Sequence, residues 1–176
     1  MNILNLFTAH KVVEINLSTG LRTGHMLAQH AYKNDKDKFV DNGNFFRMSK
    51  AATDEVVLAD DANAVGPYFL HYTEELETTG LVSALKYFTD EIVDGVCYPR
   101  CIALYAGDTF TTDNVIAPVE GAKFATVGAN GVLELSASYP TAAYEGPVFQ
   151  VVACKMPDNE TDGYQFTVID PMAKIA

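Results

Sequence analysis

The feature that most constrains the fold of this chain is a two-residue alternation of apolar and polar side chains in its C-terminal half. The segments AKFATV and GVLELSAS flank the turn GAN at 128–130, and the segments PVFQVVACKM and GYQFTVID flank PDNETD. Successive side chains of a strand point to opposite faces, so Tyr164, Phe166 and Val168 share one face of the last segment. The pattern predicts two antiparallel hairpins.

The same alternation marks strands earlier in the chain. The segments 11–18, 55–60 and 67–75 are rich in β-branched and aromatic residues and are bounded by turn residues. The first segment carries Val13, Ile15 and Leu17 on one face. The last segment carries Tyr68, Leu70 and Tyr72 on one face and Phe69, His71 and Thr73 on the other. A further turn is predicted at Asp41-Asn42-Gly43.

One segment changes period. Leu81, Leu85, Phe88 and Ile92 are spaced four, three and four residues apart, which is the apolar stripe of an amphipathic helix. Gly95 is placed to end such a helix. The predicted fold is therefore mainly β, a sandwich or barrel of short antiparallel strands, with one amphipathic helix near 78–94. A length of 176 residues favours a single β-rich domain over 11–176.

Composition excludes several classes of partner. The chain has 23 acidic and 12 basic residues, a formal net charge of -11, so it repels phosphate backbones at long range. We therefore expect no direct contact with nucleic acid. No apolar run approaches the roughly 18 residues of a membrane span, and the N-terminus has no basic segment ahead of an apolar stretch. We expect synthesis in the cytoplasm and no membrane contact.

The three cysteines are Cys97, Cys101 and Cys154, an odd number with no second CxxC-like pair. Structural zinc usually needs four nitrogen or sulfur ligands, and a disulfide framework needs an even set. The run CIALYAG that starts at Cys101 is typical of a buried strand, with Pro99 just before it. We predict reduced cysteines that act as small apolar side chains and bind no metal.

Motifs for catalysis are absent. The sequence contains no G-x-S-x-G, no P-loop, no H-E-x-x-H and no dinucleotide-binding glycine pattern. The four histidines are His10, His25, His30 and His71. His25 and His30 are five residues apart, and this spacing does not place two side chains on the same face in a helix or in a strand. The chain is predicted not to be an enzyme and to need no cofactor.

The segment DNETDG at 158–163 has the spacing of half a calcium loop. Asp158, Glu160 and Asp162 alternate and Gly163 follows, as at the first six positions of such a loop. The carboxylate required at the twelfth position is replaced by Ile169, and the flanking segments read as strands. An acidic hairpin tip without structural calcium is the preferred interpretation.

The first ten residues form an apolar segment without a clear period. It holds Ile3, Leu4, Leu6 and Phe7. Chain ends are usually polar, and an exposed apolar end promotes association, so we expect this segment to be buried. The apolar residues do not keep one strand face. We therefore predict an N-terminal arm over 1–10 that packs against another subunit, rather than an edge strand of its own domain.

Two stretches carry a resemblance to a class of proteins. CIALYAGDTFTTDNV at 101–115 and FATVGANGVLELSAS at 124–138 resemble the β-rich auxiliary proteins that decorate or stabilise the heads of tailed-phage virions. The resemblance covers roughly the C-terminal half and rests on strand and turn style, so it transfers no functional residue. It implies a multi-copy capsid decoration or head-associated protein, located in the virion and made in the host cytoplasm. The implied partners are the major capsid protein or neighbouring copies.

A second function from another class remains open. Alternating aromatic residues such as those of PYFLHY at 67–72 build the core of most strands, but they also bind sugar rings. The alternative is therefore a carbohydrate-binding β-sandwich module of a host-attachment apparatus. Stabilisation of an assembled particle would favour the first function, and stabilisation by a free ligand would favour the second.

Overall fold

The computed structural model describes residues 11, 13–17, 26–27, 30–37, 39–72, 89–141, 143–156 and 162–170. The fold is mainly β, with 52% strand and 3% helix, as the alternation predicts. The strands are β1 (Val13–Leu17), β2 (Met26–Leu27), β3 (Ala31–Lys33), β4 (Phe39–Asp41), β5 (Phe45–Ser49), β6 (Glu55–Leu58), β7 (Ala64–His71), β8 (Thr89–Glu91), β9 (Val96–Cys97), β10 (Cys101–Ala103), β11 (Thr109–Thr112), β12 (Phe124–Val127), β13 (Leu133–Ser136), β14 (Val148–Lys155) and β15 (Asp162–Asp170).

The strands form two main sheets. The first sheet has six antiparallel strands in the order β1-β11-β15-β14-β12-β13. The second has seven strands in the order β2-β10-β7-β5-β6-β3-β9, and one of the two sheets curls into a half-barrel. Strands β4 and β8 form a separate antiparallel pair. The two hairpins predicted near the C-terminus are confirmed as β12–β13 and β14–β15.

Two apolar cores lie on either side of the second sheet. The first core fills the space between the two sheets and contains four fully buried phenylalanines, Phe45, Phe110, Phe149 and Phe166. Their ring centroids are 5.2 to 6.2 Å apart, the range of favourable aromatic pairs. The second core lies on the opposite side of the second sheet and includes Tyr32, Phe46 and Phe69.

The alternation along β7 explains how one strand serves both cores. Leu70 is fully buried in the first core, and Tyr68 and Tyr72 pack against it. Phe69 faces the second core, and the fully buried ring of His71 packs against Phe46. The predicted division of this strand into two faces is confirmed. The predicted sharing of one strand face is confirmed for Val13 with Ile15 on β1 and for Tyr164, Phe166 and Val168 on β15, which lie in or pack against the first core.

The predicted helix near 78–94 is not seen. Residues 78–88 lie outside the described part of the chain, which contains no helix of seven or more residues. For residues 89–94 the helix prediction is wrong, because Thr89–Glu91 pairs with Phe39–Asp41. Asp94 and Gly95 then adopt positive φ angles and turn the chain into β9. Strand pairing overrides the local helical period here.

The tip of the β12–β13 hairpin is fixed to the second sheet by two contacts. The backbone N–H of Asn130 donates to the Asp60 carboxylate at 2.9 Å. Gly131 has a φ of +66° and is buried, and a Cβ atom placed on it would lie 2.4 Å from the carbonyl oxygen of Phe45. A glycine is therefore required where the tip crosses β5.

A buried polar network joins the predicted turn at 41–43 to the first sheet. The Asn114 amide donates to the Asn42 carbonyl at 2.9 Å and to Asn44 Oδ1 at 2.7 Å. Thr112 Oγ1 accepts from the Asn114 backbone N–H at 3.0 Å. Asn42, Thr112 and Asn114 are all buried, so these bonds replace water that the groups would otherwise bind.

Candidate functional site

The outward side of the first sheet is uncharged at its centre, where Gln150, Val152 and Gln165 are exposed and Thr111 is buried. We call this surface the outer face and define it by eight residues on β11, β12, β14 and β15: Thr109, Thr111, Phe124, Thr126, Gln150, Val152, Gln165 and Thr167. Their neighbours along each strand, such as Phe110, Phe149 and Phe166, point into the first core. The strand pairings place Gln150 beside Thr167 and Val152 beside Gln165, and so bring the eight side chains onto one surface.

The distribution of charge sets the outer face apart. The chain carries 35 charged residues, 12 basic and 23 acidic. Within the described strands, an acidic side chain lies beside the outer face at two positions on the edge strands, where Glu14 on β1 pairs with Thr111 and Glu134 on β13 pairs with Thr126. At the centre, Val152 is 57% exposed. The cores of protein–protein interfaces are likewise depleted of charged residues.

Local contacts hold parts of the outer face in a defined shape. The Thr111 hydroxyl donates to Asn16 Oδ1 at 2.8 Å, which ties β11 to the edge strand β1. At the opposite side, the rings of Phe124 and Tyr139 meet edge to face with centroids 5.3 Å apart. Tyr139 is 46% exposed, so this aromatic pair borders the surface. The outer face is a preformed platform with an aromatic margin.

A groove lies where β14 and β15 meet the loop after β11. Its volume is about 540 Å³, within the range of roughly 300–1,000 Å³ typical of binding pockets. Val115, Ile116, Pro118 and Tyr164 form apolar parts of its lining. Ile116 is 48% exposed. The groove can therefore accept apolar side chains.

Charged residues line other parts of the groove. Lys11 donates from Nζ to the Asp113 carbonyl at 3.1 Å and lies 3.7 Å from its carboxylate. Asp162 pairs with Lys155 at 2.6 Å near the end of the β14–β15 hairpin. Both ion pairs are solvent-exposed in part, so each contributes little to stability. The groove therefore combines apolar walls with charged side chains.

The cysteines occupy two different environments. Cys97 and Cys101 form no disulfide, are buried and belong to the second core, which confirms the prediction that they serve as small apolar side chains. The Cys101 thiol lies 3.7 Å from the Pro99 carbonyl. Cys154 is also free but only partly buried, and it lines the groove. Burial raises the pKa of its thiol, opposed by a backbone hydrogen bond at Gln165, so the thiol is less reactive than an open one.

The histidines do not form a site within the described residues. His71 is fully buried and its Nδ1 lies 2.9 Å from the Asp41 carbonyl, a structural position between two strands. His30 precedes β3 and has a buried Nδ1 without a hydrogen-bond partner. His10 and His25 lie outside the described part of the chain.

Two other predicted sites fall largely outside the described residues. Asp158 and Glu160 of the calcium-like segment are among them, and so are Ile3, Leu4, Leu6 and Phe7 of the predicted arm. Asp162, the third acidic residue of the calcium-like segment, is exposed and paired with Lys155. Across the ranges that the structure describes, no three histidine, cysteine or acidic side chains are placed to hold a metal ion.

Neither the outer face nor the groove was singled out by sequence motifs. One signal in the sequence could have identified the outer face. The polar positions that alternate with apolar ones in these strands are mostly threonine and glutamine, whereas acidic residues are common elsewhere in the chain. The groove has no such signal, because it joins residues near 11, 115 and 164 that only the topology brings together.

Comparison with known proteins adds no relative. Searches against protein-family models, curated proteins and solved structures found no significant match. In the described part of the chain, no helix is both long and apolar enough to cross a membrane.

Proposed function

We propose that this chain is a structural protein of a tailed-phage virion, a capsid decoration or head-associated protein that acts in multiple copies through protein–protein contacts. The observation that carries the proposal is the uncharged outer face on a chain with a net charge of -11. A strongly acidic surface keeps copies apart. The outer face is the surface where a neighbouring virion protein can dock without repulsion.

The composition of the outer face fits a contact between proteins. Threonine and glutamine side chains offer both hydrogen-bond donors and acceptors, which suits a flat surface that must pair with another chain. Val152 at the centre supplies apolar area. A rigid sheet loses little conformational entropy on docking, because its backbone is already ordered.

The assignment to a virion rests on the resemblance of two stretches. Residues 101–115 contain β10 and β11, and residues 124–138 contain β12 and β13. Three of these four strands belong to the first sheet, and β11 and β12 contribute four residues of the outer face. An amphipathic helix over 78–88 and a single domain over 11–176 remain part of the proposal as predictions.

The direct test is a charge placed on the outer face. Val152→Lys puts an ammonium group at its centre, and a desolvated, unpaired charge at an interface costs several kcal/mol. We expect at least a tenfold loss of binding to the virion. Val93→Lys is the matched control, because Val93 is 60% exposed, against 57% for Val152, and lies in the turn between β8 and β9.

Both variants should keep the melting temperature within a few degrees of wild type, since exposed sheet substitutions cost less than about 1 kcal/mol. Binding is measured by co-sedimentation with purified particles. Equal binding of the two variants would remove the outer face from the proposal, and absence of wild-type binding would refute the virion assignment.

A carbohydrate-binding module is the second candidate, favoured by the Phe124–Tyr139 pair beside Gln150. An exposed aromatic ring with nearby amides and hydroxyls is a common arrangement in small-molecule sites. If this function is correct, a free oligosaccharide raises the melting temperature and Tyr139→Ala abolishes the rise. No thermal shift across a panel of bacterial surface glycans would exclude it.

A further inference from the structure

One partly buried arginine on the second sheet is held in place without a carboxylate partner among the described residues. This residue is Arg47 on β5, and its guanidinium carbon lies 4.7 Å from the centroid of the Tyr68 ring. We propose that Arg47 binds the carboxylate of a small organic acid. The inference is independent of the proposed function, because Arg47 lies on the second sheet and the outer face belongs to the first.

A β-bulge sets the position of Arg47. The pairing register of β5 with β7 shifts between Phe46 and Met48, so that residues 66–68 of β7 lie opposite the single residue Arg47. Bulges bend a strand and re-aim a side chain, and they are common next to functional sites. Arg47 therefore occupies an irregular position of the sheet, and not a regular position of the ladder.

Two contacts hold the guanidinium in one orientation. Arg47 Nε donates a hydrogen bond to the Gly66 carbonyl at 2.9 Å. The face of the Tyr68 ring attracts the cation by a cation–π interaction. A side chain whose rotamer is already set loses less conformational entropy when it binds a ligand. The guanidinium is thus preorganised.

These contacts use only part of the hydrogen-bonding capacity of the guanidinium. A guanidinium has five N–H donors, and the bond to Gly66 uses the Nε donor. Within the described ranges, no acidic side chain forms an ion pair with Arg47, although the chain has 23 acidic residues. Lys11, Lys33 and Lys155, by contrast, each lie beside a carboxylate. The donors that remain on Arg47 form the planar fork that binds a carboxylate through two parallel hydrogen bonds.

The surroundings of Arg47 suit a small ligand. A Cβ atom placed on Gly66 would have no neighbour within 4 Å, so the surface next to the guanidinium is open there. The loop after β13 bounds the site beside Tyr68, because a Cβ atom placed on Gly146 would lie 3.0 Å from the Tyr68 hydroxyl. An opening with a wall beside it fits a small molecule better than a broad protein surface.

Charge favours a carboxylate over a phosphate. A carboxylate carries one negative charge, which one guanidinium can balance. A phosphate monoester carries a charge of about −1.5 to −2 at neutral pH, and proteins usually bind it with a cluster of arginines. The chain has only three arginines, Arg22, Arg47 and Arg100, and its net charge is -11. A doubly charged ligand would therefore meet more repulsion than a carboxylate.

The test compares three sugars that differ at one carbon atom: glucuronate has a carboxylate there, glucose 6-phosphate a phosphate, and glucose an uncharged hydroxymethyl group. Each is titrated into the full-length, nitrogen-15-labelled protein at low salt, and the Nε–H signals of the three arginines are followed by NMR. The Arg47 signal is assigned by its absence from Arg47→Lys. We expect glucuronate to shift this signal with a dissociation constant on the order of 1 mM. Glucose 6-phosphate should bind at least threefold more weakly, and glucose should cause no shift.

Two variants test the role of the guanidinium. Arg47→Gln removes the charge, and Arg47→Lys keeps the charge but removes the planar fork. Each should weaken glucuronate binding at least tenfold, as read from the backbone amide signals of Gly66 and Tyr68. Arg100→Gln is the matched control, because Arg100 is exposed and its replacement changes the net charge as Arg47→Gln does. It should bind glucuronate like wild type.

Several results would overturn the inference. A wild-type protein that shows no Arg47 shift up to about 20 mM glucuronate has no such site, and an equal shift with glucose would show that the carboxylate is not recognised. Tighter binding of glucose 6-phosphate would assign the site to phosphate. Wild-type affinity in Arg47→Lys would show that charge alone attracts the ligand. Melting temperatures check that the variants fold, and the wild-type titration with the three sugars decides the question even if an Arg47 variant does not.

Discussion

The substitution of Gly131 by alanine tests how the β12–β13 hairpin is fixed to the second sheet. Gly131 has a φ of +66°, and a Cβ atom there would lie 2.4 Å from the Phe45 carbonyl oxygen and 3.2 Å from the Phe45 nitrogen. Ordinary C···O contacts begin near 3.3 Å, so the hairpin tip or β5 must move by about 0.9 Å. Phe45 is in the first core, and the shift would disturb its packing.

The magnitude follows from two terms. A non-glycine residue in the left-handed region costs about 1–2 kcal/mol, and forcing extra volume into a packed contact costs about 1–3 kcal/mol more. Gly131→Ala should therefore lower the free energy of unfolding by about 2–5 kcal/mol.

Gly121→Ala is the matched control, because Gly121 has a φ of +71° and a Cβ atom placed on it would have no neighbour within 4 Å. This variant meets only the backbone term and should lose about 1–2 kcal/mol. The loss of unfolded-state entropy on replacing glycine by alanine is common to both variants and cancels in the comparison.

The assay is urea denaturation followed by tyrosine fluorescence, since the chain has nine tyrosines and no tryptophan. We expect Gly131→Ala to be less stable than Gly121→Ala by about 1–3 kcal/mol, a melting temperature lower by roughly 2–12 °C for a domain of this size. Equal losses in the two variants would show that the close approach to Phe45 does not stabilise the fold.

Three further predictions concern single side chains. Asn114→Ala removes the buried amide that donates to the Asn42 carbonyl and to Asn44 Oδ1, and it should lower the free energy of unfolding by about 2–4 kcal/mol in urea denaturation. A loss below about 0.5 kcal/mol would contradict a stabilising role of these two hydrogen bonds. Tyr144→Phe removes a hydroxyl that accepts from the Val127 N–H at 2.9 Å and donates to the Pro147 carbonyl at 3.1 Å. It should lower the free energy of unfolding by about 1–2 kcal/mol in the same assay. Burial raises the pKa of Tyr144, so an absorbance titration of the wild type should show this tyrosine ionising after the exposed ones. Because burial raises the folded-state pKa of the Cys154 thiol, this group contributes to folding stability below its unfolded pKa near 8.5 and loses that contribution as pH rises through its folded pKa. Its alkylation by iodoacetamide at pH of about 8.5 should therefore be slower than that of free cysteine. Equal alkylation rates would contradict the raised pKa.

The strands could be predicted from sequence because alternation is local. Each hairpin of the first sheet places its apolar residues on one face within a few residues of chain, and β7 divides its side chains between two cores as its sequence indicates. The turn at 41–43 was predictable for the same reason, since Asn42 and Gly43 favour it locally.

The remaining features depend on contacts between distant segments. Residues 89–91 belong to a helical pattern in the sequence, but in the structure Thr89–Glu91 pairs with Phe39–Asp41, about fifty residues earlier. The local sequence does not predict this pairing. Gly131 looks like an ordinary hairpin glycine until its approach to Phe45 is known. The groove unites three distant segments, and the outer face emerges only when the register of four strands is fixed.

The central claim is that this chain is a multi-copy virion protein that docks through its outer face. The most direct measurement is the number of copies per purified particle, counted by quantitative mass spectrometry for wild type, Val152→Lys and Val93→Lys. The claim predicts a fixed multiple-copy number for wild type and Val93→Lys, and at least a tenfold lower number for Val152→Lys. Particles that contain no wild-type chain, or that retain Val152→Lys at the wild-type number, would contradict it.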